Sequence, residues 1–455
     1  MSTLGGEAPA RPVARSAQTG RRHTASNAAR VAVQLFVALL LAARLMGVGE
    51  VEPVRYHVTF PEPEHHWLRV EAIFPTLGPE PLDLRMSRAS PGRYSLHEFA
   101  KNVYGVRAFD ASGREIGLTR VDASGWRVAG HGGTLRVVYD VFGDQLDGTY
   151  LGVDSTHALI NMPAAIMWGR GLDDRPAVVT FAPPQGRDWR VATQLFPGAT
   201  PLEFTSPNLQ YLMDSPAELG PIVVRTFSVD GRTIRFAAHH AGSDDELDAF
   251  VRDVERIVRE QGRIYGEYPA FEPQHYTFLA HYLPHALGDG MEHRNSTVIS
   301  APASIRADRL QLLGTVAHEF FHAWNVERIR PRSLEPFDLD GGNMSGELWL
   351  AEGFTQYYGS LTLNRAGLVE LSSTLADFRD LIASVVLNDA RRVRTAEDMS
   401  RMAVFTDGAP TIDRTNWSTT FISYYQFGGA IALALDLSLR ERSGGQVTLD
   451  DYMRA

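Results

Sequence analysis

The stretch LQLLGTVAHEFFHAW, residues 310–324, decides the fold of this chain. Its apolar side chains recur at helical spacing, which predicts a helix over residues 310–324. Residues four apart lie on one face of a helix, so His318 and His322 could hold one metal ion from the same side. Glu319 would stand next to that ion. The H-E-x-x-H pattern is typical of zinc hydrolases, in which two imidazoles bind the ion and a carboxylate lies beside a bound water. The alternative is an ordinary helix whose histidines pack or face solvent.

Length and composition restrict the class of protein. The chain has 455 residues, which is enough for two or three domains, and it is 44% hydrophobic and 22% charged, as in a soluble globular protein. The net charge of −10 makes nucleic acid an unexpected partner. There are no cysteines, which excludes cysteine zinc sites, thiol nucleophiles and disulfides. Any metal ion must therefore be held by His, Asp or Glu.

The first fifty residues differ in composition from the rest of the chain. Residues 1–30 are rich in Ala, Ser, Arg and Gly, and residues 31–43 form an apolar run that Arg44 closes. The run is shorter than the roughly 20 residues that span a membrane, and a basic flank before a short apolar segment is typical of a secretory signal peptide. An uncleaved membrane anchor and a leader without function are the alternatives. We expect residues 1–50 to be a signal peptide or an anchor, and the protein to be exported, periplasmic or membrane-anchored, and otherwise cytoplasmic.

Residues 51–240 are predicted to form a β-rich N-terminal domain. Short segments of alternating apolar and polar residues recur there, separated by turn signals such as Pro91-Gly92 and Asp230-Gly231. Many short strands at this spacing indicate a sandwich or a bent antiparallel sheet. The predicted strands cover residues 55–60, 67–74, 134–141, 177–181 and 222–229.

Residues 241–455 are predicted to be mainly helical, which makes the fold class α+β. Ser243 followed by Asp244-Asp245-Glu246 has the pattern of a helix N-cap with an acidic first turn. One strand is expected over residues 274–281, just before the histidine-bearing helix. The predicted helices cover residues 246–265, 310–324, 348–363, 369–387 and 424–443, and another starts near residue 449.

A catalytic zinc site needs a third protein ligand and one open position. The downstream carboxylates to consider are Glu327, Glu335, Asp338, Asp340, Glu347 and Glu352. Glu352 lies in the mostly apolar segment LWLAEGFTQYY, residues 348–358, and burying a lone carboxylate is costly unless a cation pairs with it. No Arg or Lys follows in that segment before Arg365, so a metal ion is the natural partner of Glu352. The loop carboxylates are most simply solvated.

The segment around the two histidines specifically resembles a known protein family. HEFFHAWNV, residues 318–326, followed by RIRP, residues 328–331, resembles the signature of the glycyl aminopeptidase family of zinc metallopeptidases. That family belongs with the gluzincins, so the resemblance implies an N-terminal β domain, a thermolysin-like catalytic domain, and zinc held by His318, His322 and Glu352. Members usually carry a PDZ domain after the catalytic domain. This sequence reaches its last residue before one could follow, which leaves open whether the catalytic domain is truncated at its C-terminus.

The resemblance also implies roles around the metal. Glu319 would take a proton from the zinc-bound water and pass it to the leaving amine, as general base and then acid. SYYQFG, residues 423–428, resembles the Y-x-K-G region of related aminopeptidases, which makes Tyr425 the candidate donor to the oxyanion. Tyr424 is the alternative donor, and either tyrosine could instead belong to the core.

GMEH, residues 290–293, resembles the G-x-E-H segment of the same family. By that match Glu292 would bind the free α-ammonium of a substrate through a charge-assisted hydrogen bond, and Gly290 and Met291 would be further substrate-binding residues. His293 suits a packing role better than that of a metal ligand. Four more histidines stay unassigned because the sequence reveals no partner for them: His239, His240, His281 and His285.

The leading hypothesis is a zinc aminopeptidase that uses one Zn²⁺ per chain and acts on peptides with a free N-terminus. Removal of small N-terminal residues, Gly or Ala, is what the resemblance implies. A second hypothesis is an endopeptidase with the same zinc chemistry, in which Glu292 does not anchor an amine. A third is a non-catalytic peptide-binding module, which would have no use for Glu319. The N-terminal apolar segment suggests an association with membranes, and the oligomeric state is not predicted.

Overall fold

In the computed structural model, which describes residues 51–406 and 417–455, the chain up to residue 220 forms sheets rich in antiparallel pairs. The strands are β1 (Val54–Glu62), β2 (Trp67–Phe74), β3 (Leu82–Arg85), β4 (Val103–Phe109), β5 (Glu115–Ile116), β6 (Leu118–Asp122), β7 (Gly125–Val128), β8 (Leu135–Phe142), β9 (Leu151–Val153), β10 (Ala158–Ile160), β11 (Trp168–Gly169), β12 (Ala177–Ala182), β13 (Arg190–Thr193), β14 (Phe196–Pro197), β15 (Glu203–Ser206) and β16 (Ala217–Gly220). They build an eight-stranded sheet, β14-β15-β12-β1-β2-β8-β4-β5, and two four-stranded sheets, β13-β16-β10-β9 and β11-β3-β7-β6.

Alternating side chains explain why these segments form strands. In β2 every second residue is buried, namely Leu68, Val70, Ala72 and Phe74, while the residues between them are less buried. One pairing differs from the expected antiparallel arrangement, because β1 runs parallel to β12, with Val54 opposite Ala177. The alternation of buried side chains is the same in both kinds of ladder, so the sequence pattern could not distinguish them.

A fourth sheet, with five strands, follows in the chain. Its strands are β17 (Val223–Val229), β18 (Arg232–His240), β19 (His275–Tyr282), β20 (Asp289–His293) and β21 (Ser296–Ala301), in the order β17-β18-β19-β21-β20. β20 is an edge strand, antiparallel to β21. It was not predicted, because Asp, Gly and His are weak strand formers and hide the pattern.

The helices lie mainly in the second half of the chain. They are α1 (Met162–Ala165), α2 (Leu209–Met213), α3 (Asp244–Tyr265), α4 (Arg309–Phe321), α5 (Leu348–Arg365), α6 (Leu371–Val386), α7 (Ala396–Arg401), α8 (Ala403–Thr406), α9 (Trp417–Thr420), α10 (Tyr424–Ser443) and α11 (Leu449–Arg454). Ser243 caps α3 in a capping box with Glu246, as the acidic first turn predicts. The α+β fold class is confirmed: antiparallel-rich sheets precede a helical region.

The residues from Glu52 onwards form one compact unit. A loop after α4 joins the helical region to the first sheets. Phe337 and Leu339 on this loop are both 4% exposed and belong to the apolar core of the N-terminal sheets. The Arg85 guanidinium also donates a hydrogen bond to Asp340 Oδ1 over 2.8 Å. The predicted boundary near residue 240 is therefore crossed by buried contacts.

The predicted signal peptide or anchor, with its apolar run over residues 31–43, lies outside the described residues. In the part of the chain that the structure describes, no helix has both the length and the apolar character that a membrane crossing requires.

Candidate active site

Helix α4 presents two different faces. Buried apolar residues such as Leu313, Val316 and Phe320 pack one side into the core. His318 lies on the other side, along an open cleft, with its side chain 16% exposed. The helix ends at Phe321, but His322 keeps helical dihedrals, φ −62° and ψ −19°, so the two histidines retain the four-residue spacing of one helical turn. Their ring centroids lie 4.8 Å apart.

Glu352 on α5 completes a group of three possible metal ligands. Its Oε2 atom lies 3.5 Å from His318 Nε2 and 3.2 Å from His322 Nε2. Its side chain is 2% exposed, and Oε2 has no hydrogen-bond partner among the described residues. A buried carboxylate oxygen that has no hydrogen-bond partner and faces two imidazole nitrogens is an arrangement that a bound cation would stabilise. Two imidazoles and one carboxylate are also a donor set that suits Zn²⁺, so these residues fit the metal.

The surroundings hold two of these three side chains, Glu352 and His322, in place. Tyr94 Oη donates a hydrogen bond to Glu352 Oε1 over 2.8 Å, which leaves Oε2 to face the histidines. Burial, followed by the charge of Glu352, raises the pKa of Tyr94 well above its ordinary value, so the hydroxyl keeps the proton it donates. His322 Nδ1 lies 2.8 Å from the carbonyl oxygen of Asn325, and the Asn325 amide donates to the carbonyl of Ala351 over 2.8 Å. The loop after α4 is thereby tied to α5.

Sequence reasoning missed both Tyr94 and Asn325. Tyr94 lies 258 residues before Glu352 and follows a turn in the N-terminal half, so no local pattern connects the two. Asn325 could have been noticed, because it follows the histidine motif by three residues within the segment that resembles the family signature.

The Glu319 side chain extends from α4 to the edge strand β20. It is 6% exposed, and burial raises the pKa of its carboxyl. Gly290 on β20 makes room for it, because a Cβ atom at that position would stand 2.1 Å from Glu319 Oε1. Any side chain at residue 290 would therefore displace the carboxylate.

Glu292 lies on the same face of β20 as Gly290, since side chains alternate along a strand. It is 6% exposed, and it offers an oxygen within 4.8 Å of ligand atoms of both Glu319 and His322. Burial raises the pKa of its carboxyl. Met291 belongs to the other face of β20 and packs in an apolar cluster with Leu279 and Val298, so the structure does not bring its side chain to the cleft.

The two candidate tyrosines occupy different places at the start of α10. Tyr425 lines the cleft, and its ring stacks on that of His318 with centroids 5.8 Å apart. Tyr424 is 2% exposed and makes an edge contact with Tyr94 at 6.2 Å. Of the pair, Tyr425 is the one whose ring reaches the cleft.

The cleft has an empty volume of about 1000 Å³. Asp289 lines it and forms an ion pair with Arg93, which contributes a second contact from the N-terminal half. Three of the other downstream carboxylates, and His293, have charged partners elsewhere. Asp340 pairs with Arg85 and Arg170, Glu327 and Glu335 pair with Arg330, and His293 lies 2.8 Å from Asp214.

Comparison with known structures shows which fold this is. The aminopeptidase N family protein from Idiomarina loihiensis superposes with a TM-score of 0.81 at 24% identity, covering 88% of this chain and 69% of that one. An M1 zinc metallopeptidase from Deinococcus radiodurans gives 0.48 at 16% identity, covering 89% and 85%. Native yeast LTA4 hydrolase gives 0.48 at 13% identity, covering 89% and 61%. No curated protein sequence matches the chain.

Two models of a single family match the sequence. The peptidase M61 N-terminal domain matches residues 55–221, and the M61 glycyl aminopeptidase model matches residues 311–431. Together they cover more than half of the chain, including His318, Glu319, His322 and Glu352. The chain therefore belongs to the M61 glycyl aminopeptidase family and is a zinc metallopeptidase.

Proposed function

We propose that this protein is a zinc-dependent aminopeptidase that removes small N-terminal residues, Gly or Ala, from peptides. The observation that carries the proposal is the convergence of His318, His322 and Glu352 beside the buried carboxylates of Glu319 and Glu292. The preference for small residues rests on the family description, and the recognition of a free N-terminus rests on Glu292.

His318 and His322 would hold the zinc ion through Nε2, and Glu352 through the unpartnered Oε2. When bound, zinc polarises the scissile carbonyl and lowers the pKa of a coordinated water. Glu319 accepts a proton on its carboxylate from the attacking water and delivers it to the nitrogen of the leaving amine. Gly290, which has no side chain, leaves room for that carboxylate beside the zinc ligands.

Two further groups would act on the substrate. Tyr425 would donate its hydroxyl proton in a hydrogen bond to the oxygen that becomes negative as the carbonyl is attacked, since its ring stacks on His318 in the cleft. Glu292 would accept a charge-assisted hydrogen bond from the α-ammonium of the substrate. An ammonium placed there would also relieve the repulsion among Glu292, Glu319 and Glu352.

The experiment that tests this function measures release of amino acid from zinc-loaded protein. The substrates are dipeptides with N-terminal Gly, Ala, Leu or Phe, each with a free and an acetylated N-terminus. We expect turnover of the free Gly and Ala peptides alone. Glu319→Gln should lose at least about 10²-fold in kcat while keeping its zinc, because it removes the general base and spares the ligands. Activity in Glu319→Gln equal to that of the native enzyme would refute the mechanism.

Glu292→Gln tests recognition of the amine and separates the two peptidase hypotheses. We expect a loss of the preference for free over acetylated N-termini, because the carboxylate that pairs with the ammonium is gone. Asp289→Asn is the matched control, since Asp289 also lines the cleft but is already paired with Arg93, and it should keep the preference. Internal cleavage of acetylated peptides by the native enzyme would favour the endopeptidase alternative.

A further inference from the structure

A second cluster of imidazoles and carboxylates lies in the fold, and it shares no residue with the site described above. It is found where the four-stranded sheet containing β10 and β16 meets strands β18 and β19 of the five-stranded sheet. His157 precedes β10, Glu218 lies on β16 and His239 on β18. Each of these three side chains offers a ligand atom, and the three atoms lie within 4.8 Å of one another.

Four polar atoms of this cluster are buried and have no hydrogen-bond partner among the described residues. Glu218 is 1% exposed and His157 2% exposed. Within residues 51–406 and 417–455, neither oxygen of Glu218 has a hydrogen-bond partner, and neither His157 Nε2 nor His239 Nδ1 has one. His239 Nδ1 lies 3.7 Å from Glu218 Oε1, which is too long for a hydrogen bond. Burying polar atoms without partners is costly, so something else should bind them.

His157 is held in an orientation that suits metal binding. Its Nδ1 atom lies 3.0 Å from Thr156 Oγ1 and 3.3 Å from Asp154 Oδ1, which leaves Nε2 as the free nitrogen. The backbone N–H groups of Thr156 and His157 both donate to Asp154 Oδ1, which fixes the turn. A carboxylate on the second nitrogen of an imidazole is the arrangement that metal-binding histidines use to fix their tautomer.

Among the described residues, no arginine or lysine forms an ion pair with Glu218. The titratable groups that face Glu218 are His239, His281 and Asp154, and His281 Nε2 lies 3.3 Å from Glu218 Oε2. Burial, followed by the charge of Asp154, raises the pKa of Glu218, while burial and His157 lower the pKa of His239 to about 4. A divalent cation bound between these side chains would pair with the buried Glu218 carboxylate.

An ion could reach this cluster from solvent. A surface cleft with an empty volume of about 360 Å³ is lined by His66, Asp144, Asp154, His157 and His285. The Asp144 and His285 side chains are exposed, those of His66 and Asp154 are partly exposed, and His285 Nε2 lies 3.7 Å from Asp154 Oδ2. The cleft therefore leads from exposed imidazole and carboxylate groups to the buried His157.

We propose that His157, Glu218 and His239 form a second metal site, which binds a divalent transition ion of the zinc type and clamps the two sheets together. Two imidazoles and a carboxylate, with no thiolate in the chain, suit Zn²⁺ better than Mg²⁺ or Ca²⁺. Because the three ligands come from β16, β18 and the residue before β10, the ion would join the four-stranded sheet β13-β16-β10-β9 to the five-stranded sheet that carries the edge strand β20.

The test counts zinc ions per chain. The protein is stripped with a chelator, reloaded with Zn²⁺, freed of unbound metal by gel filtration and measured by mass spectrometry. We expect two zinc ions per chain in the native protein and one in His239→Ala, which should keep its peptidase activity. His318→Ala should also bind one, because it loses the other ion. His240→Ala is the matched control, since it is the neighbouring histidine on β18, points to the opposite face and should bind two.

Glu218→Gln keeps the shape of the side chain but not its charge. If the cluster holds a metal, Glu218→Gln should bind one zinc ion. Added to His318→Ala, it should also abolish the thermal stabilisation that zinc gives to His318→Ala alone. If the cluster is only a network of neutral groups, Glu218→Gln should bind as much zinc as the native protein. The proposal would be overturned if the native protein took up a single zinc ion that His318→Ala loses and His239→Ala keeps. This result does not depend on whether the Glu218 variant folds.

Discussion

Tyr94 is the residue whose role is most open to a direct test. Its hydroxyl donates to Glu352 Oε1, which turns Oε2 towards the two histidines. Tyr94→Phe should lower zinc affinity or kcat/KM about 10–100-fold, as the loss of an orienting partner of a metal ligand does. Zinc affinity is measured by competition with a chromophoric chelator.

The control for that variant is Tyr56→Phe. Tyr56 is also buried, and its hydroxyl donates to the carbonyl oxygen of Met167 over 3.0 Å, so this change removes a comparable hydrogen bond away from the metal ligands. It should leave the zinc affinity unchanged. If both variants lose zinc alike, the effect of Tyr94 is general destabilisation and not orientation of Glu352.

Tyr425 and Tyr424 form a matched pair at the start of α10. We expect Tyr425→Phe to lower kcat about 10²–10³-fold with zinc content unchanged, because one hydrogen-bond donor to the developing oxyanion is lost. Tyr424→Phe should keep most of the activity, since Tyr424 is buried against Tyr94. Steady-state kinetics on the free dipeptides distinguishes them, and a larger loss in Tyr424→Phe would reverse the assignment.

Single residues of the site were predictable where local spacing or burial decides. The four-residue spacing of His318 and His322 follows from helix geometry, and an apolar helix with one carboxylate pointed to Glu352. Tyr94 was not predictable, because only tertiary folding brings it to Glu352. Met291 shows the opposite case: strand alternation turns it away from the cleft, and the strand itself was not recognised.

At the scale of elements, the helices followed from the sequence better than the strands did. The predicted bounds of α10 and the start of α11 agree with the structure, since periodic apolar residues and caps define them locally. β20 and β21 were missed, and the parallel pairing of β1 with β12 could not be foreseen. Which strands pair depends on distant segments, which a local pattern does not contain.

The crossing of α5 and α10 depends on two glycines. A Cβ atom on Gly428 would stand 1.8 Å from the carbonyl oxygen of Trp349, and one on Gly353 would stand 2.3 Å from the Cα of Gly428. Gly428→Ala should therefore force the helices apart and lower the free energy of unfolding by about 1–3 kcal/mol. It should also reduce kcat, because α5 carries Glu352 and α10 carries Tyr425. Urea unfolding and steady-state kinetics measure the two effects.

Gly429→Ala is the control for this helix crossing. Its Cβ atom would meet a Leu381 methyl group at 3.1 Å, and a side-chain end can move where backbone cannot. We expect a smaller loss of stability and little change in kcat. Equal effects of the two substitutions would contradict the role of the close backbone approach.

At the scale of the whole molecule, the fold class was predictable, but the buried contacts that join the helical region to the N-terminal sheets were not. Alternating strands followed by periodic helices indicate α+β, whereas the insertion of Phe337 and Leu339 into the first core has no signature in a polar loop rich in Pro, Asp and Gly. The division into domains near residue 240 stays a prediction, and the buried contacts across it suggest that the parts unfold together.

Phe337→Ala tests that cohesion. It should lower the free energy of unfolding by about 3–5 kcal/mol, because it truncates a buried phenylalanine. This phenylalanine comes from the loop after α4 but packs in the core of the N-terminal sheets. In the native protein and the variant alike, the loss of tryptophan fluorescence and the loss of peptidase activity should share one urea midpoint. Activity that disappears well before the fluorescence changes would show that the two halves unfold independently.

The hydrogen bond from Tyr94 to Glu352 also has an evolutionary consequence. The two residues are encoded 258 codons apart, in segments that match separate family models. A recombination event that replaced only one of these segments would separate a metal ligand from the hydroxyl that orients it. Selection on catalysis should therefore favour joint inheritance of the two segments, so that the gene evolves as one unit although its parts are recognisable apart.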